Sequence, residues 1–284
     1  MPIENVSDTA KWVALYRAME SERTDALFRD PYAHKLGGAE GRAILDSVKD
    51  GKRMAWAMIT RTAVFDELIL DAVRTRGVDA IVNLAAGLDA RPWRMDLPRA
   101  LKWYDVDLPG ILEYKAGVLA GEPARCEYEA IHIDLRDVAA RRTLFARIGA
   151  ECRRALVVAE GLLVYLEPAE VGTLAADLSA QASFERWLID LGNPLLLEIM
   201  NRSWKDDLAK APFKFAPEEG PVFFRPFGWS EESFRSSLEE ARRIKREMKG
   251  MWFYRLLGKL APKERQEKFR RMSAFVVLAN AHTR

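Results

Sequence analysis

Three small residues and one acid have the types and the spacing that can bind a nucleoside. Ala85, Ala86 and Gly87 directly follow the apolar run 81–84, and Asp107 ends the apolar and aromatic run 101–106. Small residues let a backbone turn approach a ligand closely, and an acid at the end of the next strand can accept hydrogen bonds from both ribose hydroxyls. The spacing indicates a nucleoside site, although an ordinary strand–turn–helix with an unrelated acid remains an open alternative.

The turn lacks the marks of a phosphate-binding loop. It is not GxGxxG, because alanines occupy the two positions before Gly87, and it has no P-loop lysine. A ligand with a nucleoside but no phosphate is therefore favoured, and S-adenosylmethionine is the common one. A nicotinamide-dependent dehydrogenase is disfavoured, because such a turn leaves no room for a pyrophosphate.

The elements that must position these residues follow from the apolar periodicity. Short apolar or alternating runs predict strands, and the run 155–159 is apolar throughout, as in a strand buried inside a parallel sheet. Helical spacing appears between most of these runs. The pattern predicts an α/β fold with about seven mostly parallel strands and helices on both faces. The predicted strands are 81–84, 101–106, 127–133, 155–159, 186–191, 273–280 and, at an edge, 242–248; the predicted helices are 8–28, 52–76, 137–151, 168–182, 230–241 and 252–271.

Composition excludes several classes of protein. The net charge of +2 over 284 residues argues against a surface that coats nucleic acid. No apolar run approaches the roughly 20 residues that span a bilayer, and the first residues lack the apolar core of a signal peptide. Cys126, Cys152 and three scattered histidines give neither a disulfide framework nor a metal site. We therefore expect a cytoplasmic protein with no metal, no nucleic-acid partner and no membrane partner; its oligomeric state is open.

Three segments carry a family resemblance. The segments NLAAGLDARPWR (83–94), WYDVDLPGILEYK (103–115) and EGLLVYL (160–166) resemble the signature of the leucine carboxyl methyltransferase family, above all its bacterial branch of polyketide O-methyltransferases. The usual form is close to LGAGLDTR followed by EVDLP. Here Ala85 replaces the first glycine, Ala90 the threonine and Asp105 the glutamate. The resemblance covers roughly residues 15–170.

The resemblance implies a Rossmann-like class I methyltransferase fold with an N-terminal helical extension, and S-adenosyl-L-methionine as cofactor. It implies that Arg61 contacts the methionyl carboxylate and that Asp134 and Leu135 recognise the adenine ring. Glu160, followed by Gly161, lies after the fourth predicted strand, where an acid can accept from the cofactor ammonium. The expected cofactor-binding residues are Arg61, Ala85, Ala86, Gly87, Asp107, Leu108, Asp134, Leu135, Glu160 and Gly161.

No residue is a convincing general base. A lone histidine in a strand is usually just packed, so His132 is a weak candidate, and this favours a carboxylate or an acidic phenol as methyl acceptor. Tyr165 and Arg91 are the polar groups expected nearest the acceptor and are the predicted catalytic residues. The interpretation is an O-methyltransferase for a carboxylate or hydroxyl of a small, polyketide-like molecule or a peptide. The alternative is a non-catalytic nucleoside-binding protein with a regulatory role.

A single methyltransferase domain is expected to occupy the whole chain. Within it, residues 1–76 are predicted to form a helical cap and residues 77–192 the cofactor-binding core. The irregular, aromatic stretch 193–229 is predicted to be a lid insertion over an apolar acceptor, although a loop packed on the core explains it equally well. Residues 230–284 are predicted to supply C-terminal helices and the last strand.

Overall fold

One seven-stranded sheet forms the centre of the molecule in a computed structural model, which describes residues 6–47, 51–203, 212–248, 250–251 and 261–283. The strands are β1 Ala80–Leu84, β2 Lys102–Asp107, β3 Glu127–His132, β4 Ala155–Ala159, β5 Phe184–Gly192, β6 Trp229–Ser236 and β7 Ser273–Asn280. Their spatial order is β3-β2-β1-β4-β5-β7-β6. The strands β1 to β5 are parallel, and β7 runs antiparallel to its neighbours β5 and β6.

Helices cover both faces of this sheet. They are α1 Val6–Ser21, α2 Ala33–Ser47, α3 Ala55–Thr75, α4 Arg91–Arg94, α5 Pro109–Val118, α6 Val138–Glu151, α7 Pro168–Ser179, α8 Pro194–Ser203, α9 Ser237–Arg243 and α10 Lys263–Arg270, with short 3-10 turns at Gly51–Met54, Leu163–Tyr165, Gly220–Phe227 and Ala281–Thr283. The expected α/β class and Rossmann-like architecture are confirmed.

Alternation along the strands divides the core into two layers. In β1, Val82 and Leu84 pack with residues of α6 and α7, whereas Ile81 packs on the opposite face with Val64 and Phe65 of α3. Successive side chains of a strand point to opposite faces, so a strand with helices on both sides is mostly apolar, and a polar residue such as Asn83 needs a buried partner, here Asp105. This accounts for the fully buried β1 and β4. The second half of α3 is therefore part of the core layer, although it falls in the segment expected to be a cap.

The sheet order creates a cleft between β1 and β4. The chain proceeds from β1 outward to β2 and β3, then returns to the other side of β1 with β4 and β5. At such a switch point the loops after the two central strands separate, and ligands bind outside the carboxyl ends of the strands. The turn 85–87 follows β1 and Glu160 follows β4, so both lie at this cleft.

The C-terminal part differs from the sequence-based expectation. The edge strand is β6, Trp229–Ser236, rather than residues 242–248, which contain the end of α9 and a turn. The helix expected from residue 230 begins only at Ser237. A polar edge strand shows little apolar alternation, and a bulge between Glu231 and Ser233 breaks what alternation there is. Of the helix predicted over 252–271, residues 252–260 lie outside the described residues.

The N-terminal helices pack on each other through glycine. A Cβ on Gly41 of α2 would lie 2.6 Å from the Lys11 carbonyl oxygen of α1, and one on Gly37 would lie 2.6 Å from Leu15. Only glycine permits so close an approach of the two backbones. Helix α1 lies against the cleft, since the Ala10 side chain is 3.3 Å from a Cβ built on Gly87.

Candidate active site

A cavity of about 700 Å³ occupies the cleft at the carboxyl ends of β1, β2, β4 and β5. Small-molecule and cofactor sites typically measure about 300–1,000 Å³. Every residue that the sequence analysis assigned to the site lines this cavity. These are Arg61, Ala85, Ala86, Gly87, Arg91, Asp107, Leu108, Asp134, Leu135, Glu160, Gly161 and Tyr165.

The turn after β1 and the acid after β2 form one hydrogen-bonded unit. Ala85 and Gly87 both adopt positive φ, 50° and 51°, a conformation that is costly for alanine and free for glycine. The Gly87 amide donates to Asp107 Oδ2 at 2.7 Å, and the Leu108 amide donates to Oδ1 at 2.7 Å. Each carboxylate oxygen therefore keeps a lone pair for a ligand hydroxyl.

Burial raises the pKa of Asp107, while its hydrogen bonds from the Gly87 and Leu108 amides oppose that shift. The net direction is upward because desolvation outweighs these hydrogen bonds and the charge of Lys115. A group that donates two hydrogen bonds to this carboxylate would favour the ionised form. Asp107 is thus oriented by the backbone and forms no ion pair with a described residue, as expected for an acid that binds neutral hydroxyls.

Asp134 lies at the outer edge of the cavity. Its carboxylate accepts from Arg136 through the backbone amide at 2.9 Å and through the guanidinium Nη2 at 2.6 Å. The side-chain hydrogen bond from Arg136 lowers the pKa of Asp134. Arg136 is largely exposed and can turn away, so the carboxylate is accessible to a ligand amine. Leu135 follows it on the cavity wall and Leu108 provides a second apolar surface.

Three charged groups meet between β4, β5 and α3. Arg61 Nε lies 3.0 Å from Glu160 Oε1, and Arg61 Nη1 donates to Asp190 Oδ2 at 2.9 Å. The other oxygen of Asp190 accepts from the Gly161 amide at 2.8 Å. Arg61 and Glu160 thus pair with each other, while Asp190 fixes both the guanidinium and the turn that follows Glu160.

Asp190 was missed by sequence reasoning. It lies inside a strand-like run with no motif around it. Parallel pairing of Ala159 with Ile189 brings the next residues close together: Glu160, directly after β4, and Asp190, near the end of β5. Only the pairing register contains that signal, because the two acids are thirty positions apart in sequence.

Gly161 has both a conformational and a steric reason to be glycine. Its φ is +69°, and a Cβ built on it would lie 2.9 Å from Arg61 Nη1. A larger residue would displace the guanidinium from its position between the two acids. The glycine of the EGLLVYL segment therefore serves the placement of Arg61.

Arg91 is enclosed by acids. Its Nε donates to Asp66 at 2.7 Å, and its Nη1 lies 2.7 Å from Asp89 and 2.8 Å from Glu160. Only 3 % of its side chain is exposed. A side chain so enclosed is better placed to orient Glu160 than to contact an acceptor. The expected contact between Arg91 and the acceptor stays a prediction, and this geometry gives it little support.

The ion pairs continue below the cavity. Asp66 also accepts two hydrogen bonds of 2.7 Å from Arg94, and Arg17 joins the Asp30 carboxylate to the Leu88 carbonyl. Burial opposes the ionisation of Asp89, yet the nearby cations, Arg91 first among them, hold its pKa at about 2. The cleft therefore rests on a buried layer of alternating charges.

Tyr165 lies on the cavity wall beside the aromatic ring of Phe213, with the ring centroids 5.3 Å apart. Burial raises the pKa of its phenol, and a side-chain hydrogen bond with Thr9 opposes the shift. The hydroxyl therefore stays protonated and is a poor base. His132, the weak candidate for a base, is exposed and does not line the cavity.

Part of the stretch 193–229 lines the cavity, as a lid would, and part of it packs on the core. Residues of α8 and of 212–216 line the cavity: Leu196, Leu197, Met200, Phe213, Phe215 and Ala216. Phe223, Phe224 and Phe227 instead pack on the core against Trp187 and its neighbours. Residues 204–211, between these parts, lie outside the described residues.

Two further properties concern the described residues alone. No group of three or more histidine, cysteine, aspartate and glutamate side chains within them is placed to hold a metal ion. No helix among them has the length and the apolarity to cross a membrane.

Similarity to solved structures agrees with this fold. The chain superposes on a DUF574 family protein from Streptomyces avermitilis with a TM-score of 0.55 at 11 % identity, covering 94 % of this chain and 96 % of the other. A crystal structure from Thermobifida fusca, named as a proposed methyltransferase, gives a TM-score of 0.53 at 14 % identity, covering 93 % and 97 %.

Sequence relatives identify the family. A protein from Streptomyces avermitilis, named as a proposed S-adenosyl-L-methionine-dependent methyltransferase, is 33 % identical over 238 residues, which cover 79 % of this chain and 83 % of the relative. One of the same name from Streptomyces coelicolor is 37 % identical over 201 residues, covering 67 % and 70 %. The family model for leucine carboxyl methyltransferases matches residues 10–179. The chain therefore belongs to the leucine carboxyl methyltransferase family and is an S-adenosylmethionine-dependent methyltransferase.

Proposed function

We propose that this methyltransferase acts on an oxygen of a small, largely apolar molecule, and that the oxygen is ionised before it binds, as in a carboxylate or an acidic phenol. The sequence left a peptide acceptor and a non-catalytic binding role open. Family membership favours an enzyme. The size and the apolar lining of the cavity beside α8 favour a small molecule.

The residues at the cleft fit the cofactor. Asp107 presents two oxygens, each with one backbone amide, to a pair of ribose hydroxyls. The turn at Ala85 and Gly87 has the positive φ values that bring its backbone close to a ligand. Arg61 and Glu160 supply opposite charges for a zwitterionic tail, and Asp134 supplies an acceptor for an amine at the far end.

S-adenosylmethionine, when bound, supplies a methyl group made electrophilic by a positively charged sulfur. The protein has to hold the acceptor oxygen in line with that methyl group, because positioning is the larger part of the rate enhancement for such a transfer. Arg61 and Glu160 would hold the methionyl end, Asp107 the ribose and Asp134 the adenine. The wall formed by α8, Phe213 and Tyr165 would hold the acceptor.

One observation supports an acid, rather than a neutral alcohol, as the methyl acceptor. Among the described residues that line the cavity there is no histidine, lysine or cysteine. Glu160, Asp190 and Asp89 are paired with arginines, and Asp134 is paired with Arg136. Asp107 lies in the cofactor part of the cleft. A neutral alcohol would therefore find no free base to take its proton, whereas an acid brings its oxygen already ionised.

The test is methyl transfer to matched acids and alcohols. Purified protein with labelled S-adenosylmethionine is offered 1-naphthoic acid, 1-naphthol and 1-naphthalenemethanol, which share one apolar body. We expect methyl ester or ether formation from the acid or the phenol and less than about a hundredth of that rate from the alcohol, the lower bound of a general-base contribution. The rate with the phenol should rise with pH up to the phenol's own pKa.

Equal rates with the alcohol and the acid would contradict the proposal, since they would require a base in the cavity. Binding of S-adenosylmethionine, measured by calorimetry in the same preparation, separates an inactive protein from an unsuitable acceptor. NAD serves as a ligand control and should not bind, because the turn has no phosphate cradle.

A further inference from the structure

Asn201 of α8 forms two hydrogen bonds with the backbone of Phe213. Its side-chain Nδ2 donates to the Phe213 carbonyl at 3.0 Å, and its Oδ1 accepts from the Phe213 amide at 3.3 Å. A side-chain amide carries a donor and an acceptor side by side, which matches the N–H and C=O of a single residue. Asn201 does not itself line the cavity, so these bonds connect it with the site through residue 213.

A second anchor holds the same segment on the turn after β4. The Lys214 amide donates to the Val164 carbonyl at 2.7 Å, and the Phe215 amide donates to the same oxygen at 3.2 Å. Val164 directly precedes Tyr165, so this anchor brings the segment beside the tyrosine. Phe213 is therefore fixed on α8 through its own backbone, and on the 3-10 turn through the two residues that follow it.

The Phe213 ring forms part of the cavity wall. Its centroid lies 5.3 Å from that of Tyr165, which also lines the cavity. The ring belongs to the apolar cluster that contains Tyr16 of α1 and has Met200 of α8 packed against it, and both of these residues line the cavity too. A ring that is held at this place occupies volume on the side of the cleft where the acceptor is proposed to bind.

We propose that Phe213 determines which size of acceptor the enzyme takes, and that Asn201 is the positioning residue that keeps the Phe213 ring on the wall. The inference rests on the proposed function, which places an apolar acid against this wall. Without the two hydrogen bonds from Asn201, the ring would be free to turn away, and a wider acceptor would fit. One methylene in an apolar pocket already changes discrimination by about 10- to 200-fold, so the position of a whole ring should be measurable.

The test measures selectivity between two acids that differ by one fused ring. Dissociation constants of 1-naphthoate and 9-anthroate are measured by equilibrium dialysis with the full-length protein, with S-adenosylhomocysteine present to occupy the cofactor part of the cleft. Phe213→Ala should shift the ratio of the two affinities towards 9-anthroate by about tenfold or more. Asn201→Ala should shift it in the same direction by about threefold or more, as for the loss of neutral hydrogen bonds.

The double variant shows whether Asn201 acts through the ring. Its selectivity should equal that of Phe213→Ala alone, because Asn201 then has no ring to hold, and residues that act through one another are not additive. If the two shifts add, Asn201 acts independently of Phe213 and its role as a positioning residue is overturned.

The matched control is Phe223→Ala. Phe223 lies in the same stretch, packs on Phe224 with the ring centroids 5.2 Å apart, and does not line the cavity. Its loss should lower the melting temperature and leave the ratio of the two affinities unchanged. A shifted ratio in this variant would overturn the proposal, because any loosening of the stretch would then alter selectivity.

Unchanged selectivity in Phe213→Ala, or no binding of either acid to the unaltered protein, would also overturn the proposal. If an alanine variant fails to fold, Phe213→Leu and Asn201→Asp are milder replacements that should shift the ratio in the same direction. Methyl transfer from labelled S-adenosylmethionine is measured separately. Shifted selectivity without any methylated acid would support the role of Phe213 and contradict the proposed function, whereas methylated acids with unchanged selectivity would do the reverse.

Discussion

Replacing Asp107 by alanine should weaken cofactor binding while leaving the fold intact. The carboxylate accepts one backbone amide on each oxygen, and one lone pair of each remains for a ribose hydroxyl. In the variant, the two ribose hydroxyls are still desolvated on binding, but the ionised carboxylate that accepted their hydrogen bonds is gone. A hydrogen bond to a charged group makes a net contribution of about 1.5–3 kcal/mol. Water that enters the space beside the alanine can pair with the two hydroxyls and recover part of this, so a loss of about 2–4 kcal/mol in binding is expected. That corresponds to an affinity lower by about 30- to 1,000-fold.

The assay is calorimetry with S-adenosylmethionine, with adenosine and 2′,3′-dideoxyadenosine as competitors. If Asp107 acts through the hydroxyls, Asp107→Ala should reduce the affinity for adenosine and leave that for dideoxyadenosine nearly unchanged. Asp96→Ala removes an acid whose side chain is 90 % exposed and is the charge control. An unchanged affinity for S-adenosylmethionine in a folded Asp107 variant, or equal losses for adenosine and dideoxyadenosine, would refute the assignment.

The raised pKa of Asp107 allows the same prediction to be tested through its pH dependence. Because burial raises this pKa above the ordinary carboxyl value, the native state binds a proton more tightly than the unfolded chain does. Without ligand, the stability contribution of this group should decline as pH rises between the ordinary and the raised value. Cofactor affinity should rise over the same mildly acidic window, since the hydroxyls require the ionised form. The contribution of Asp107 to both slopes should be absent in Asp107→Ala, as denaturation and calorimetry on the two proteins at several pH values would reveal.

Three further predictions concern the charged groups. Gly161→Ala adds a Cβ 2.9 Å from Arg61 Nη1 at a φ of +69°. The affinity for S-adenosylmethionine should therefore fall at least about tenfold, and the unfolding free energy should fall by roughly 1–2 kcal/mol. Unchanged affinity would contradict the steric account. Glu160→Gln and Arg61→Met should each weaken S-adenosylmethionine more than methylthioadenosine, which lacks both charged ends; equal losses for the two ligands, measured by calorimetry, would mean that these residues act through the fold. Asp66→Asn leaves two buried arginines without their shared acid and should cost about 3–5 kcal/mol in urea denaturation, against little change for Asp96→Asn.

The central strands, and the position at one cleft of the residues proposed to bind the cofactor, were predictable because their signals are local. A buried parallel strand is mostly apolar, and the acid or turn that follows such a strand lies at the ligand-binding edge by topology alone. Ala85, Asp107 and Glu160 needed only that reasoning. Their side chains line one cavity because the order of β1, β2 and β4 in the sheet leaves no other place for them.

The elements that were missed depend on tertiary contacts. Helix α2 contains Gly37, Gly38 and Gly41, which lower intrinsic helix propensity, yet two of these glycines allow α1 to approach within contact distance. Strand β6 is polar, bulged and at the sheet edge, so its sequence resembles a capped helix start. Asp190 is recognisable only from the register of β4 with β5.

The buried charges connect the N-terminal segment with the residues at the cleft. Arg94 lies between Asp66 and the Asp30 of the N-terminal segment, Arg91 joins Asp66 to Glu160, and Arg61 joins Glu160 to Asp190. Each ion between the two ends of this series has partners on both sides, so none of them can move without leaving a buried charge unpaired, which is costly. A ligand zwitterion that binds between Arg61 and Glu160 would extend the series and replace one protein pair by two protein–ligand pairs. The same layer of ion pairs that supports the cleft therefore supports α1, whose Trp12 and Tyr16 line the cavity. The proposed cofactor and acceptor sites would thus rest on one buried layer of ion pairs.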